Sequence, residues 1–349
     1  MRQIAFAVPG DLATPTGGYV YDRRIITELK QLGWPVTPLN LGEGYPWPAK
    51  TTRAIAQARL ESVPDNDPII IDGLAFGVLP DLAFKLRERH PLVPLVHLPL
   101  ALESGLSPEQ IALLLESERA ALESAARVVV TSSTTARHLV AHYGTVPELI
   151  VVASPGVDRM PMARGSCNGV VQLLSIGAVV PGKGFDVLVE ALATLSELPW
   201  QLWIVGDRTR DMRTATALDG TIARFGLAER IKMFGSVEQH CLEQFFDGAD
   251  LFVLASRYES YGMAYTEAIA HGLPIIGTTA GAIPETIPAG AGLLVPPDDQ
   301  DALASALRRL IERPEERLRI AAGARKAICQ LPNWGDAAKA FARTLDKLP

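Results

Sequence analysis

The stretch DLFVLASRYESYGMAYTEAIAHGLPIIG, residues 250–277, indicates the fold of this chain. It opens on an apolar run, passes through a polar loop into a helix-like segment after Gly262, and closes on a second apolar run. Short strands that are apolar throughout, with a helix between them, are typical of a parallel sheet covered on both faces. The stretch therefore predicts one strand–helix–strand unit of an α/β sheet.

The same alternation runs along the rest of the chain and restarts once. In the first half, apolar runs begin at Ile4, Pro68, Leu92, Arg127 and Leu149. After a join rich in proline, glycine and arginine, residues 153–169, the further runs are VVQLLSI, QLWIVG, RIKMFG, DLFVLA, LPIIG and GLLV. Two such series predict an α/β protein of two Rossmann-like domains, residues 1–160 and 165–333, with parallel sheets facing across a cleft. An amphipathic helix is predicted to close the chain, residues 334–349.

The composition fits two ordinary domains and excludes several kinds of partner. The chain has 349 residues, of which 48% are hydrophobic and 21% charged, and its formal net charge is −6. A weakly negative chain is a poor candidate for binding nucleic acid through a broad positive face. No apolar run approaches the roughly 18 residues of a spanning helix, so no transmembrane segment is predicted. Peripheral contact with a membrane stays open.

The cysteines point to a cytoplasmic chain. Cys167, Cys241 and Cys329 are scattered without paired spacing. An odd number with no C-x-x-C motif predicts free thiols, with neither a disulfide framework nor a zinc site.

Candidate ligand-binding residues follow several strands, at the edge where parallel sheets bind ligands. Gly17 and Gly18 precede a predicted helix and permit close approach of the backbone, although a plain tight turn is the alternative. Lys183 lies near another predicted helix start. Gly262 and Met263 open the helix of the first stretch, where free N–H groups and the positive end of the helix dipole attract phosphate.

Two acids flank that last helix start. Glu259 is predicted in the loop, and Glu267 about one turn inside the helix. Carboxylates accept hydrogen bonds from vicinal hydroxyls, so the two acids suit a sugar ring and a ribose. The alternative is a solvated helix acid and a neighbour of the helix cap.

A nucleotide-hydrolysing P-loop is a competing interpretation. Gly177, Gly182 and Lys183 match most of G-x-x-x-x-G-K after a strand, but Gly184 stands where Mg²⁺ binding needs a hydroxyl. Asp207 is the best available second metal ligand. The G-x-G-x-x-G fingerprint of dinucleotide-binding proteins is absent after the strands.

Taken together, these residues resemble the retaining family 4 glycosyltransferases, which have the GT-B fold. Over the second half the resemblance is specific, while in the first half it rests on Gly17, Gly18 and His97. The residues that carry the family's two-glutamate motif are Glu259, Tyr261, Gly262, Glu267, Ala268, Ala270, Gly272 and Pro274.

The resemblance implies the transfer of a sugar from a nucleotide-sugar donor to a glycan, lipid or small-molecule acceptor. Because no D-x-D-like pair of acids follows the strands at the predicted cleft, the transfer is expected to be metal-independent. The first domain, completed by the C-terminal helix, would bind the acceptor, and the second the donor. His97 and Glu259 would be the catalytic residues, although a lone histidine ending a strand is also often structural. The donor-binding residues would be Gly17, Gly18, Lys183, Arg208, Tyr261, Gly262, Met263 and Glu267. No cofactor or metal ligand is implied.

One departure from the family pattern concerns the diphosphate. The family places an arginine where this chain has Ala178, so one of two expected cations is missing. Arg208 or Arg210 is a candidate substitute. A catalytically silent relative that binds a sugar nucleotide or a partner enzyme is the alternative that this departure raises.

Overall fold

The computed structural model describes residues 3–166 and 168–348 and divides into two compact units. The first unit comprises the residues up to Gly156 together with those from Pro332 onward, and the second is Val157–Leu331. Cys167 lies outside the described residues, whereas Cys241 and Cys329 are free thiols.

The first unit is built on a six-stranded parallel sheet. Its strands are β1 (Ile4–Val8), β2 (Val36–Asn40), β3 (Ile69–Asp72), β4 (Leu92–Val96), β5 (Val128–Val130) and β6 (Ile150–Val152). They lie in the order β2-β1-β3-β4-β5-β6. The four central strands are buried along their whole length, which explains why their sequences are apolar except for Asp72 at the end of β3.

Strand β2 is absent from the sequence-based prediction. Its sequence, VTPLN, buries only Val36 and exposes Thr37 and Pro38. Proline cannot donate a hydrogen bond and is tolerated on an edge strand, where β2 lies. An edge strand with one buried residue has no apolar run to identify it.

Helices connect the strands of the first unit. They are α1 (Gly17–Gln31), α2 (Lys50–Glu61), α3 (Gly73–Phe76), α4 (Pro80–Leu86), α5 (Pro108–Leu122) and α6 (Ser133–His138). The helix that was predicted to follow Gly17 and Gly18 already begins at Gly17, because the Thr16 side chain caps it by accepting a hydrogen bond from the Tyr19 N–H. Gly17 and Gly18 therefore form the first turn of α1, where a loop was predicted.

The second unit repeats the architecture. Its strands are β7 (Val171–Ile176), β8 (Trp200–Val205), β9 (Ile231–Met233), β10 (Leu251–Val253), β11 (Ile275–Thr278) and β12 (Gly292–Val295), in the order β12-β11-β10-β7-β8-β9. Its helices are α7 (Phe185–Ala193), α8 (Met212–Arg224), α9 (Gln239–Asp247), α10 (Met263–Ala270), α11 (Ile283–Thr286), α12 (Gln300–Glu312) and α13 (Pro314–Ala327). All the recorded pairings are parallel. The prediction of two Rossmann-like domains is confirmed.

The last helix, α14 (Trp334–Leu345), belongs to the first unit. The ring of Tyr21 on α1 packs edge-on against Trp334, with centroids 5.7 Å apart. Gly156 lies so close to this helix that a Cβ there would be 2.2 Å from the Trp334 backbone nitrogen. No helix among the described residues is both long and apolar enough to cross a membrane.

Candidate functional site

The second unit brings Lys183 and Glu259 into direct contact. Lys183 ends a short 3₁₀ turn after β7, and Glu259 lies in the loop after the neighbouring strand β10. Their Nζ and Oε1 atoms are 2.5 Å apart, and the Ser256 hydroxyl donates to the same oxygen at 2.7 Å. The two side chains are only 27% and 12% exposed, so the pair is partly shielded from water. It lies at the carboxyl edge of the sheet, where ligands were predicted to bind.

Glycines shape the turn that carries Lys183. Gly184 has a φ of +63°, and a Cβ there would lie 2.0 Å from the Ala255 carbonyl oxygen. A Cβ at Gly177 would be 3.3 Å from Cδ of the Lys183 stem. Glycine at both positions therefore lets the turn lie against β10 and lets the lysine stem lie against the end of β7.

Gly184→Ala should lower the free energy of unfolding, because the side chain strains a left-handed residue and displaces a carbonyl. A strained backbone conformation of this kind costs on the order of 1–3 kcal/mol. Gly220→Ala is the matched control, since Gly220 is an exposed residue of α8 with open space at its Cβ. It should stabilise by roughly 0.5–1 kcal/mol. Urea denaturation compares both variants with wild type, and equal effects would contradict the role assigned to Gly184.

Arg257, which the sequence analysis missed, holds the same turn from the β10 loop. Its guanidinium lies 2.7 Å from Asp186 and 2.6 Å from Asp298, and its backbone N–H donates to the Gly182 carbonyl at 2.8 Å. The two carboxylates neutralise the arginine, so it acts here as a clamp on the turn before Lys183. In the sequence, Arg257 is one loop cation among several, and only the fold shows its partners.

The start of α10 is open, as predicted. Gly262 precedes it with a φ of +93°, and no side chain caps the helix. A helix start without a cap leaves backbone N–H groups available to an anion. Tyr261, predicted to bind the donor, is instead packed inward at 7% exposure, and its carbonyl accepts a hydrogen bond from Thr286.

Glu267 lies in the second turn of α10 and is half-buried. Its carboxylate has no hydrogen bond or ion pair with any residue that the structure describes. Burial, followed by the nearby Asp158 carboxylate, raises the pKa of Glu267 to about 7. The acid is thus in a low-polarity site with its oxygens available to hydroxyl donors.

Arg208 and Arg210, the candidate substitutes for a cation at position 178, differ in whether they are already ion-paired. Arg208, predicted as a donor-binding residue, is ion-paired with Asp219 of α8 at 2.5 Å. Arg210 is exposed and makes no ion pair within the described part of the chain. The donor role of Arg208 stays a prediction, and it requires the arginine to leave Asp219.

In the first unit, His97 meets two aspartates. It follows β4, and its Nε2 atom is 3.0 Å from Asp22 Oδ1 on α1 and 3.9 Å from Asp72 Oδ2 at the end of β3. A Cβ at Gly18 would lie 3.4 Å from the His97 ring. Gly18 and His97, which were predicted separately, are therefore neighbours.

Neither aspartate was identified from the sequence. Asp72 ends the apolar strand IIID, at the edge where ligands bind, which was the available signal. Asp22 lies four positions after Gly18 and so on the same face of α1. A spacing of four positions is common in helices, so it does not by itself distinguish Asp22 from other helix residues. Only the position of His97 beside both residues does so.

The electrostatics of this cluster are strongly coupled. Asp22 and Asp72 are 0% and 5% exposed. Burial, followed by the charge of Asp22, raises the pKa of Asp72 to about 7. Burial lowers the pKa of His97, but the carboxylates of Asp22 and Asp72 outweigh it and the net shift is upward.

These three side chains also form the one group of potential metal ligands that lie close together within residues 3–166 and 168–348. The 3.0 Å separation of Nε2 from Oδ1 is an ordinary hydrogen-bond distance. A proton between the two atoms therefore accounts for the contact.

Two family models match consecutive parts of the chain. Residues 11–159 match the model described as Glycosyltransferase Family 4, and residues 165–327 match the model described as Glycosyl transferases group 1. Together they span most of both units.

Similar proteins include both curated relatives and solved structures. A D-inositol 3-phosphate glycosyltransferase of Geodermatophilus obscurus is 31% identical over 260 residues, which are 67% of this chain and 57% of that protein. The chain thus spans somewhat over half of the length of this relative. A sucrose-phosphate synthase structure from Thermosynechococcus elongatus has a TM-score of 0.84 at 21% identity, with 99% of each chain covered. The structure of HepE from Anabaena in complex with UDP and glucose has a TM-score of 0.80 at 21% identity, with 100% of each chain covered.

Proposed function

Because the chain belongs to the family 4 glycosyltransferases of the GT-B fold, we propose that it transfers a sugar from a nucleotide-sugar donor to an acceptor hydroxyl, with retention of anomeric configuration. The acceptor would be a glycan, a lipid or a small molecule. The observation that carries the proposal is the contact of Lys183 with Glu259 beside the open start of α10.

This arrangement suits the departure of a nucleoside diphosphate. As the bond to the sugar breaks, negative charge develops on the leaving phosphate oxygen. The Lys183 ammonium and the N–H groups at the start of α10 would stabilise that charge, because preorganised donors at a partly shielded site act more strongly than water. Glu259, which holds Lys183 in place, would contact the sugar next to the breaking bond.

Glu267 and His97 would bind other parts of the substrates. An available carboxylate one turn inside α10 is placed to accept hydrogen bonds from ribose hydroxyls. His97, with Gly18 against its ring, would contact the transferred sugar. Glycine at position 18 leaves this face of the imidazole uncrowded, since even a Cβ there would already be in van der Waals contact with the ring.

The names of the similar proteins guide the choice of substrates. The curated relative acts on D-inositol 3-phosphate, and the HepE structure contains UDP and glucose. The HepE complex supports UDP-sugars as the first donors to test.

A donor screen tests the proposal. Melting temperature should rise with at least one of a panel of UDP-, GDP-, ADP- and dTDP-sugars, because a ligand that binds only the folded state stabilises it. The stabilising donor should then be hydrolysed or transferred, and NMR of the product should show the donor's anomeric configuration. Stabilisation by a donor without turnover would indicate that the protein is a catalytically silent relative, the alternative suggested by alanine at position 178. ATP hydrolysis that requires Mg²⁺ would favour the P-loop interpretation.

Transfer should also persist in excess EDTA. The basis is that cationic side chains and helix N–H groups, rather than an ion held by paired acids, are assigned to the leaving diphosphate. The measurement is the initial rate with and without EDTA, followed by Mg²⁺ or Mn²⁺ addition. Loss of activity that either ion restores would contradict this assignment.

A further inference from the structure

His97, which is proposed to contact the sugar, forms a cluster with Asp22 and Asp72, and the cluster determines which of its ring nitrogens can bind a ligand. Nε2 of His97 is engaged with Asp22 at 3.0 Å. Nδ1 makes no hydrogen bond to any residue that the structure describes, and the side chain is 20% exposed. The ring therefore has one nitrogen held inside the unit and one available to a ligand.

The two acids need a shared proton. Asp72 uses Oδ1 to accept a hydrogen bond from the Leu74 N–H at 2.7 Å, while its Oδ2 points toward His97. Oδ2 of Asp22 is buried and has no hydrogen-bond partner among the residues that the structure describes. Two buried carboxylates side by side do not both ionise readily, so one proton on the pair relieves the repulsion and gives the buried oxygen a donor.

The other groups around His97 are uncharged. Tyr21 of α1 packs edge-on against the ring at 5.2 Å, but its hydroxyl donates to the Ala153 carbonyl. Beyond β5, the Thr131 hydroxyl approaches the His97 carbonyl oxygen at 3.5 Å. Among the described residues, the charges that shift the pKa of His97 are those of Asp22 and Asp72.

We propose that Asp22 and Asp72 are positioning residues that share one proton at neutral pH, with their single negative charge keeping His97 protonated and presenting Nδ1–H as a hydrogen-bond donor to a hydroxyl of the transferred sugar. Asp22 is the nearer of the two acids to the His97 ring. Asp72 carries the proton and releases it as pH rises. The contact with sugar rests on the proposed function, whereas the protonation of His97 does not.

The first test is an NMR titration of the histidine rings in the full chain, with His97→Asn used to assign the signal. In wild type, His97 should titrate above its ordinary pKa. Asp22→Asn keeps a hydrogen-bond acceptor but removes the charge, so the His97 midpoint should move to lower pH. Asp72→Asn should move it less, because that oxygen is 3.9 Å away and its carboxyl already carries the proton.

Glu118→Gln is the control. Glu118 is another buried acid of the first unit whose pKa burial raises to about 7, but it binds the Leu100 N–H and does not touch His97. This variant should leave the His97 midpoint unchanged. A change as large as that of Asp22→Asn would overturn the assigned pairing.

The second test is the pH profile of kcat/KM. The alkaline limb in Asp22→Asn should shift to lower pH, while affinity for the free nucleoside diphosphate stays as in wild type. A shifted NMR midpoint without any wild-type transfer would refute the proposed function and leave the cluster intact. Transfer with an unshifted midpoint would refute the cluster alone.

Two further outcomes bear on the shared-proton proposal. If one equivalent of Zn²⁺ or Mn²⁺ abolishes the His97 titration in wild type but not in Asp22→Asn, the cluster is a metal site and the shared-proton proposal is wrong. If Asp22→Asn does not fold, Asp72→Asn must lower the His97 midpoint relative to Glu118→Gln, because wild-type Asp72 releases its proton as pH rises and then adds negative charge beside the ring. An unchanged midpoint there would overturn the proposal.

Discussion

Lys183→Met is expected to lower kcat/KM for sugar transfer by about 30-fold or more. The substitution keeps the stem that lies against Gly177 and removes only the ammonium. Truncating one partner of a desolvated, hydrogen-bonded charge pair costs on the order of 2–5 kcal/mol, and about 1.4 kcal/mol corresponds to a factor of ten in rate. The loss has two sources: the diphosphate loses a cation, and among the described side chains Glu259 keeps only Ser256 as a hydrogen-bond partner.

The same experiment tests the consequence of Ala178. Lys183→Met combined with Ala178→Arg should recover part of the lost kcat/KM, since the arginine would place a second cation at the end of β7, near the turn that carries position 183. Lys232→Met, which alters an exposed lysine of β9, is the matched control and should behave as wild type. A wild-type-like Lys183→Met enzyme would place the diphosphate elsewhere. Arg210, exposed and without an ion pair among the described residues, would then be the first alternative.

Glu267→Gln is expected to weaken binding of the free nucleoside diphosphate by about 10- to 100-fold. Hydrogen bonds to a charged group contribute roughly 1.5–3 kcal/mol, and the amide lacks that charge. Glu259→Gln should instead reduce turnover with the sugar donor by about 100-fold, comparable to losing one preorganised transition-state contact. Its product affinity should be unchanged or tighter, because Lys183 is released from its partner.

The pH dependence separates the two glutamates further. Because the pKa of Glu267 is raised to about 7, it is protonated below that pH and ionised above it. Product affinity in wild type should therefore rise between about pH 6 and pH 8, as the carboxylate forms, by more than it rises in Glu267→Gln. Titration calorimetry with the free diphosphate provides both constants. Equal losses of product affinity in Glu259→Gln and Glu267→Gln would show that their proposed roles are wrong.

Strands that bury much apolar surface could be predicted from the sequence, and strands that bury little could not. Central strands such as β4 are apolar because both faces are covered, so they were recognisable. Strand β2 has one buried residue and was missed. In the second unit, Lys183 and Glu259 were both identified, but their contact depends on β7 and β10 being neighbours across a gap of 76 positions.

Polar clusters that assemble from several elements were harder to foresee. Asp22, Asp72 and His97 come from a helix and the ends of two strands, so no local spacing joins them. Arg257 was equally inconspicuous, since its acidic partners Asp186 and Asp298 lie 71 and 41 positions away. In both cases the residue types are visible in the sequence, but which residues become neighbours depends on the order of the strands in the sheet.

The return of α14 to the first unit has a consequence for synthesis on the ribosome. Tyr21 of α1, which packs against Trp334 and Phe341, is translated more than 300 positions before them. The second unit, by contrast, is one continuous segment, Val157–Leu331. It has all of its residues available before α14 has emerged. The unit that is translated first is therefore expected to be completed last, with one side of α1 uncovered and open to chaperones in the interval.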